Sequence, residues 1–235
     1  MSVLFEVWRR TVPEAAVDRY RDIRRNLEAL GKDGLIPSTV SRAADVGYGS
    51  GGGTVALADL FPKAIVTAID NASSQQLHMQ YLRRDLPRWS GRIEAIEEDV
   101  RIAAQKHGAH DLVLASRPNM VDPGKSTTWE EDSVFIARNF VALAEMAEPQ
   151  SGKILVGYNS DEDPGALLEL AKRVDAGKLF GQLVRYGVKN GDDWLVLSGV
   201  KPEILEKAKT DPKILLTDIG RKIPTTEELK NLWKP

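Results

Sequence analysis

The residues best suited to do chemistry are the glycines of stretch 43–53, Ala-Ala-Asp-Val-Gly-Tyr-Gly-Ser-Gly-Gly-Gly, together with two acids, Asp70 and Asp99. Glycine lacks a Cβ and tolerates positive φ, so five glycines in the seven positions 47–53 suit a sharp strand-to-helix turn with exposed amides. Such a turn lets a nucleotide-like ligand approach the backbone. Gly47, Gly49 and Gly52 also match the G-x-G-x-x-G spacing of dinucleotide-binding turns. An ionised carboxylate has two acceptor oxygens and no donor, so Asp70 could accept both hydroxyls of a ribose and Asp99 an exocyclic amine of adenine. Taken singly, the glycine run also fits a flexible loop, and each acid a solvated strand end.

These residues are positioned by alternating short apolar runs and amphipathic stretches. Strands are predicted over 43–47, 64–69 (ending at Asp70), 93–97 (ending near Glu98 and Asp99), 111–115 and 153–158. Between them fall helices over 54–61, stopped by Pro62; over 73–86, with Ser73 and Gln76 as a capping box before Pro87; and over 100–107. An irregular loop over 116–127 precedes a helix capped by Thr128 and Glu131, with the stripe Val134, Ala137, Val141 and Ala144. Asp163-Pro164 opens another helix. Upstream, Thr11 and Glu14 match a capping box for a helix over 11–31, with the stripe Ala16, Tyr20, Ile23, Leu27 and Leu30 and Gly31 as its stop. Near the end, 179–188 and 193–198 are strand-like around Asn190-Gly191, a hairpin signal. Past Lys201 the chain is charged and helical in character, with an ambiguous apolar run at 214–216. Regular strand-helix succession implies an α/β protein with a parallel, doubly wound sheet, and in such sheets ligands bind beyond the carboxyl ends of the strands. The glycine turn, Asp70, Asp99 and Ser116 all fall at such ends.

The 235 residues allow one large domain, and 42% hydrophobic with 28% charged residues fits a soluble globular chain. A formal net charge of -2 supplies no field that would gather nucleic acid over the whole surface. With no cysteine there is no disulfide framework, thiolate nucleophile or cysteine-ligated zinc, and a cytoplasmic location is expected. The apolar start at 3–5 is broken by Glu6 and followed by Arg9 and Arg10, unlike a secretory signal. No apolar run approaches the length of a membrane span, so no membrane partner is expected.

Residues 42–200 resemble the class I S-adenosylmethionine-dependent methyltransferase family. Asp45-Val46-Gly47-Tyr48-Gly49-Ser50-Gly51 resembles its cofactor loop, Asp70 its ribose-binding acid, and Glu98-Asp99-Val100 its adenine-binding segment. The resemblance implies a Rossmann-like, doubly wound seven-stranded sheet, mostly parallel with an antiparallel last strand. It implies S-adenosylmethionine as cofactor, held by Asp45, Gly47, Tyr48, Gly49, Gly51, Asp70, Asn71, Asp99, Val100 and Ser116. It places Asp45 near the cofactor's amino group, whereas Tyr48 departs from the small residue or cysteine of many members. Residues 1–41 would then be a helical segment covering the active site, 42–200 the cofactor-binding domain and 201–235 a helical extension. A methyl acceptor is the implied partner, with a small molecule favoured and RNA or protein as further candidates. Arg117 and Asn119, in the loop after the fourth strand, are the candidates to contact it, against the alternative that one is solvated and the other shapes a turn. No catalytic base is assigned.

A nicotinamide-dependent oxidoreductase shares the glycine turn and the acid about 20 residues later. Against it stand the longer glycine run, the terminal hairpin and the absence of a lysine four positions after any of the five tyrosines. A noncatalytic cofactor-binding protein is a further alternative. His78, His107 and His110 lack ligand spacing, and Asp122 and Glu130 read as solvated, so no metal is implied. Arg83, Arg84, Arg88 and Arg92 around Trp89 could stack a base and hold phosphates, which keeps nucleic acid as a minority candidate.

Overall fold

A strand buried on both faces must be apolar at odd and even positions alike, and this chain has five such runs. In the computed structural model, which describes residues 2–71, 84–116, 129–159, 170, 173–187 and 192–217, they form the centre of one seven-stranded sheet. The strands are β1 (Arg42–Val46), β2 (Ile65–Asp70), β3 (Ile93–Glu97), β4 (Leu112–Ser116), β5 (Lys153–Asn159), β6 (Phe180–Gly187) and β7 (Asp192–Val200). Their order is β3-β2-β1-β4-β5-β7-β6. Strands β1 to β5 pair in parallel, whereas β7 runs antiparallel to both neighbours. The expected hairpin is therefore present as β6 and β7, with β7 inserted beside β5. Its turn, at 188–191, lies outside the described residues.

The helices are α1 (Val3–Trp8), α2 (Glu14–Lys32), α3 (Gly52–Leu60), α4 (Val100–Lys106), α5 (Trp129–Met146), α6 (Ala176–Leu179) and α7 (Pro202–Thr210), with residues 84–89 also helical. The side-chain period of two sorts each strand between two cores. Ala43, Leu112, Leu114, Leu155 and Trp194 face α1, α2 and α3. Ala44, Val46, Val113, Ile154 and Leu197 face α5 and α7. Gly157 makes the first core possible at β5, because a Cβ there would lie 2.4 Å from the buried Trp194 ring.

The amino-terminal segment departs from expectation. The apolar start forms α1, capped by Ser2, and buries Leu4, Phe5 and Trp8. Thr11 does not cap α2: its hydroxyl donates to Trp8 O at 2.7 Å, and Pro13 occupies the cap position. Gly31 lies inside α2. The stop is Gly34, at φ +71, whose N–H donates to Gly31 O while that of Leu35 donates to Leu30 O. Left-handed geometry with these two bonds satisfies the last carbonyls, a role that glycine at position 34 fills and glycine at 31 does not. Pro87 likewise fails to end its helix, and 214–216 resolves into a short 3-10 turn, Pro212–Leu215. Helix signals at Ser73, Gln76, Thr128 and Asp163-Pro164 lie outside the described residues.

Candidate functional site

A cleft opens at the carboxyl ends of the central strands. Its floor is Val46 and Gly47 from β1, Ile69 and Asp70 with Asn71 from β2, and Ala115 from β4. One wall is Glu98, Asp99 and Val100 at the β3–α4 corner; the other is Phe135, Asn139 and Leu143 of α5. Of the residues predicted to hold a cofactor, Gly47, Asp70, Asn71, Asp99 and Val100 line this cleft.

The sequence folds locally to make it. Gly47, Gly49 and Gly51 have φ of +72, +49 and +83, so the chain leaves β1 through left-handed positions before entering α3. The Gly47 N–H donates to Ile69 O at 2.8 Å, and that of Gly49 donates to Asp70 Oδ2 at 2.9 Å. These bonds tie the turn to the end of β2 and fix the Asp70 carboxylate. Asp99 caps α4, accepting at Oδ1 from Arg101 N–H at 2.9 Å and from its Nε at 2.7 Å. Arg101 beside it holds the Asp99 carboxyl below its usual range.

The other predicted residues that the structure describes sit around the cleft without lining it. Asp45 turns under α3: its carboxyl is buried, accepts from Thr54 Oγ1 at 2.7 Å, and lies 2.8 Å from where a Cβ on Gly53 would stand. Burial, reinforced by the charge of Asp70, pushes its pKa up to about 7, against the hydrogen bonds from Thr54 and the charge of Arg19. Gly53 is thus required by an internal carboxyl. The Tyr48 side chain is buried in the α1–α3 core, leaving its backbone on the turn. The Ser116 hydroxyl accepts from Arg19 of α2. Arg117 and Asn119 lie outside the described residues, as do His78 and Asp122.

Sequence reasoning missed the α5 wall. Phe135, Asn139 and Leu143 follow each other at i, i+4 and i+8 beside the stripe that packs on the sheet, and the signal was Asn139, a polar residue buried in an apolar run. It also missed the bracing of the turn by α1, where Trp8 Nε1 donates to Ser50 O at 2.9 Å. The arginine cluster is largely structural. Arg92 donates to the carbonyls of Ala58, Phe61 and Ala64 at the end of α3, and Arg84 pairs with Asp85; Arg83 lies outside the described residues. His110 is buried, its ring nitrogens 3.1 Å from Met146 O and 3.2 Å from Thr67 Oγ1, and burial lowers its pKa to about 4. Among the described residues no cluster of three metal-ligating side chains occurs, and no helix is long and apolar enough to cross a membrane.

The chemistry of the lining tests what would fit. Asp70, Glu98 and Asp99 are acceptors, so they suit hydroxyl and amine donors. Glu98 Oε1 accepts from Lys106, while the buried Oε2 has no hydrogen-bond partner among the described residues. The apolar walls, with Phe135 on one side and Val100 on the other, suit a flat ring. A nucleoside bearing an amine fits this lining.

No protein-family model matches the chain, and no curated protein matches it in sequence. Solved structures do match. A putative O-methyltransferase from Nostoc punctiforme PCC 73102 superposes at TM-score 0.52 with 14% identity, over 74% of this chain and 55% of that one. An O-methyltransferase family protein from Burkholderia thailandensis gives 0.47 with 13% identity, over 68% and 52%. TrmN from Thermus thermophilus gives 0.47 with 19% identity, over 72% and 46%. The chain spans about half the length of these proteins. Sheet order and cleft define an α/β protein of the doubly wound class with an antiparallel insertion. Its fold is the class I S-adenosylmethionine-dependent methyltransferase fold.

Proposed function

We propose that this chain is an S-adenosylmethionine-dependent methyltransferase whose acceptor is a small molecule, with RNA or protein as further candidates. The observation that carries this reading is the convergence of Gly47, Asp70 and Asp99 from three successive strands on one cleft. When bound, the sulfonium cofactor supplies an electrophilic methyl together with its own leaving group. Asp70 accepts the ribose hydroxyls and Asp99 the adenine amine, while Asn71 and Val100 flank the nucleoside. The backbone of Gly47, Tyr48, Gly49 and Gly51 follows the amino-acid tail. Asp45 supports that end from beneath the turn, Ser116 bounds it at β4, and Arg117 and Asn119 contact the acceptor. Residues 1–41 cover the site, 42–200 bind the cofactor, and 201–235 extend the fold. The cysteine-free composition suits a cytoplasmic enzyme.

The nicotinamide alternative is disfavoured by the antiparallel β7, since the dinucleotide fold continues in parallel. Calorimetry tests the proposal: S-adenosylmethionine and S-adenosylhomocysteine should both bind, and Asp70→Ala should weaken each by about tenfold or more, the scale of a hydrogen bond to a charged group. Heat with NADH and none with either ligand would reverse the ranking. Transfer of labelled methyl to separated small-molecule, RNA and protein fractions identifies the acceptor class, and binding without transfer to any fraction would leave a noncatalytic binding protein.

A further inference from the structure

The wall of the cleft at the β3–α4 corner contains a device that the cofactor motifs do not describe. Asp99 stands just outside α4 and Arg101 two residues on. Side chains so spaced within a helix diverge, but a capping residue is not yet helical, and here the two meet. The guanidinium grips both carboxylate oxygens, Nε at 2.7 Å from Oδ1 and Nη2 at 2.5 Å from Oδ2, and the Arg101 N–H adds a third bond to Oδ1. The same guanidinium carbon lies 5.3 Å from the centre of the Phe135 ring on the opposite wall. Arg101 therefore joins the two walls between which a flat base would lie.

A planar fork bound to both oxygens fixes the rotation of a carboxylate, which a single hydrogen bond does not. Three donors occupy three of the roughly four lone-pair positions that a carboxylate offers. That leaves one acceptor position, at Oδ2, on an ionised carboxylate that lines the cleft. A 6-amino purine presents an N–H to such a group. A 6-oxo purine presents a carbonyl oxygen, which a fixed anion repels. We propose that Arg101 is a positioning residue that makes the cleft selective for a 6-amino over a 6-oxo purine, by locking Asp99 as an oriented acceptor and bracing it on Phe135. This rests on the cofactor reading above and adds to it the residue that sets base selectivity.

The test is calorimetric titration of the full chain with S-adenosylhomocysteine and with S-inosylhomocysteine, in which the 6-amino group becomes a carbonyl and N1 gains a proton. The native chain should prefer the adenosyl ligand by about tenfold or more. Arg101→Met should reduce that preference to about threefold or less while the melting temperature is retained, and Arg101→Lys, which keeps the charge without the fork, should fall between. Asp99→Asn, whose amide can donate to a carbonyl, should remove or invert the preference, and it serves if the methionine variant fails to fold. Equal weakening of both ligands in Arg101→Met, with the ratio unchanged, would overturn the positioning role. A native chain that binds both ligands alike would also overturn it, with the cofactor reading intact. Binding of neither ligand would sink the cofactor reading itself, and the inference with it.

Discussion

In Asp45→Asn, a neutral amide of nearly the same shape replaces a carboxyl that the fold strips of water. Burial beneath α3, with the Asp70 charge adding to it, raises the Asp45 pKa from 3.8 to about 7. Between those values the native chain holds a proton that the unfolded chain has released. Stability must then fall as pH rises, by up to about 1.36 kcal/mol per pH unit and by about 4 kcal/mol across the window. This stabilisation is complete below pH 3.8 and is lost as pH passes about 7. His110 works in the opposite sense. Its pKa falls from 6.5 to about 4 because the ring is buried, so its contribution is complete above pH 6.5 and lost as pH drops toward 4, about 3 kcal/mol in all. The two slopes oppose one another across the same acid range and largely cancel in the native chain. The Asp45 carboxyl is bound by Thr54 beneath α3, whereas the His110 ring meets Met146 and Thr67, so the two groups share no partner and their effects should add. Urea unfolding at pH ~4.5 and ~7.5 reads the outcome: relative to the native chain, Asp45→Asn should gain about 3 kcal/mol over that interval. The unmasked His110 slope should disappear again in Asp45→Asn combined with His110→Gln. Parallel pH profiles for the native and Asp45→Asn chains would refute the reasoning, because they would mean that Asp45 titrates alike folded and unfolded.

Other expectations concern packing. Gly53→Ala should destabilise by about 1–3 kcal/mol in urea unfolding, since the added methyl meets both Asp45 oxygens at 2.8 Å. Gly157→Ala should cost at least as much, and the same change should cost clearly less when made in Trp194→Leu, which lacks the ring that the methyl would strike. Arg92→Met leaves carbonyls at the end of α3 without their donor and should cost about 1–2 kcal/mol in thermal melting. Its affinity for a single-stranded oligonucleotide should match that of the native chain, because the guanidinium is already engaged by the backbone.

The sequence alone determined which segments become strands and where the chain turns at their ends, because those properties are local. An apolar run of five residues bounded by glycine or an acid is a buried strand wherever it packs, and Gly47, Gly49 and Gly51 show the positive φ that such a turn demands. Period and turn chemistry therefore placed Gly47, Asp70 and Asp99 at strand ends, and parallel order brought those ends to one edge of the sheet. Tertiary structure decided where each side chain went next. Asp45 reads as one more acid of the cofactor loop, yet it faces Thr54 beneath α3, because odd positions of β1 point to that side of the sheet. Ser116 meets Arg19 across 97 residues, a contact that no spacing announces. The α5 wall depends on how that helix rolls against β4 and β5, since Phe135, Asn139 and Leu143 border the packed stripe. Gly34 rather than Gly31 ends α2 because the stop is chosen by which carbonyls can still be satisfied. Local conformational preference fixes the elements; the direction of a polar side chain is fixed by the partner that lets it leave water, and that partner comes from elsewhere in the chain.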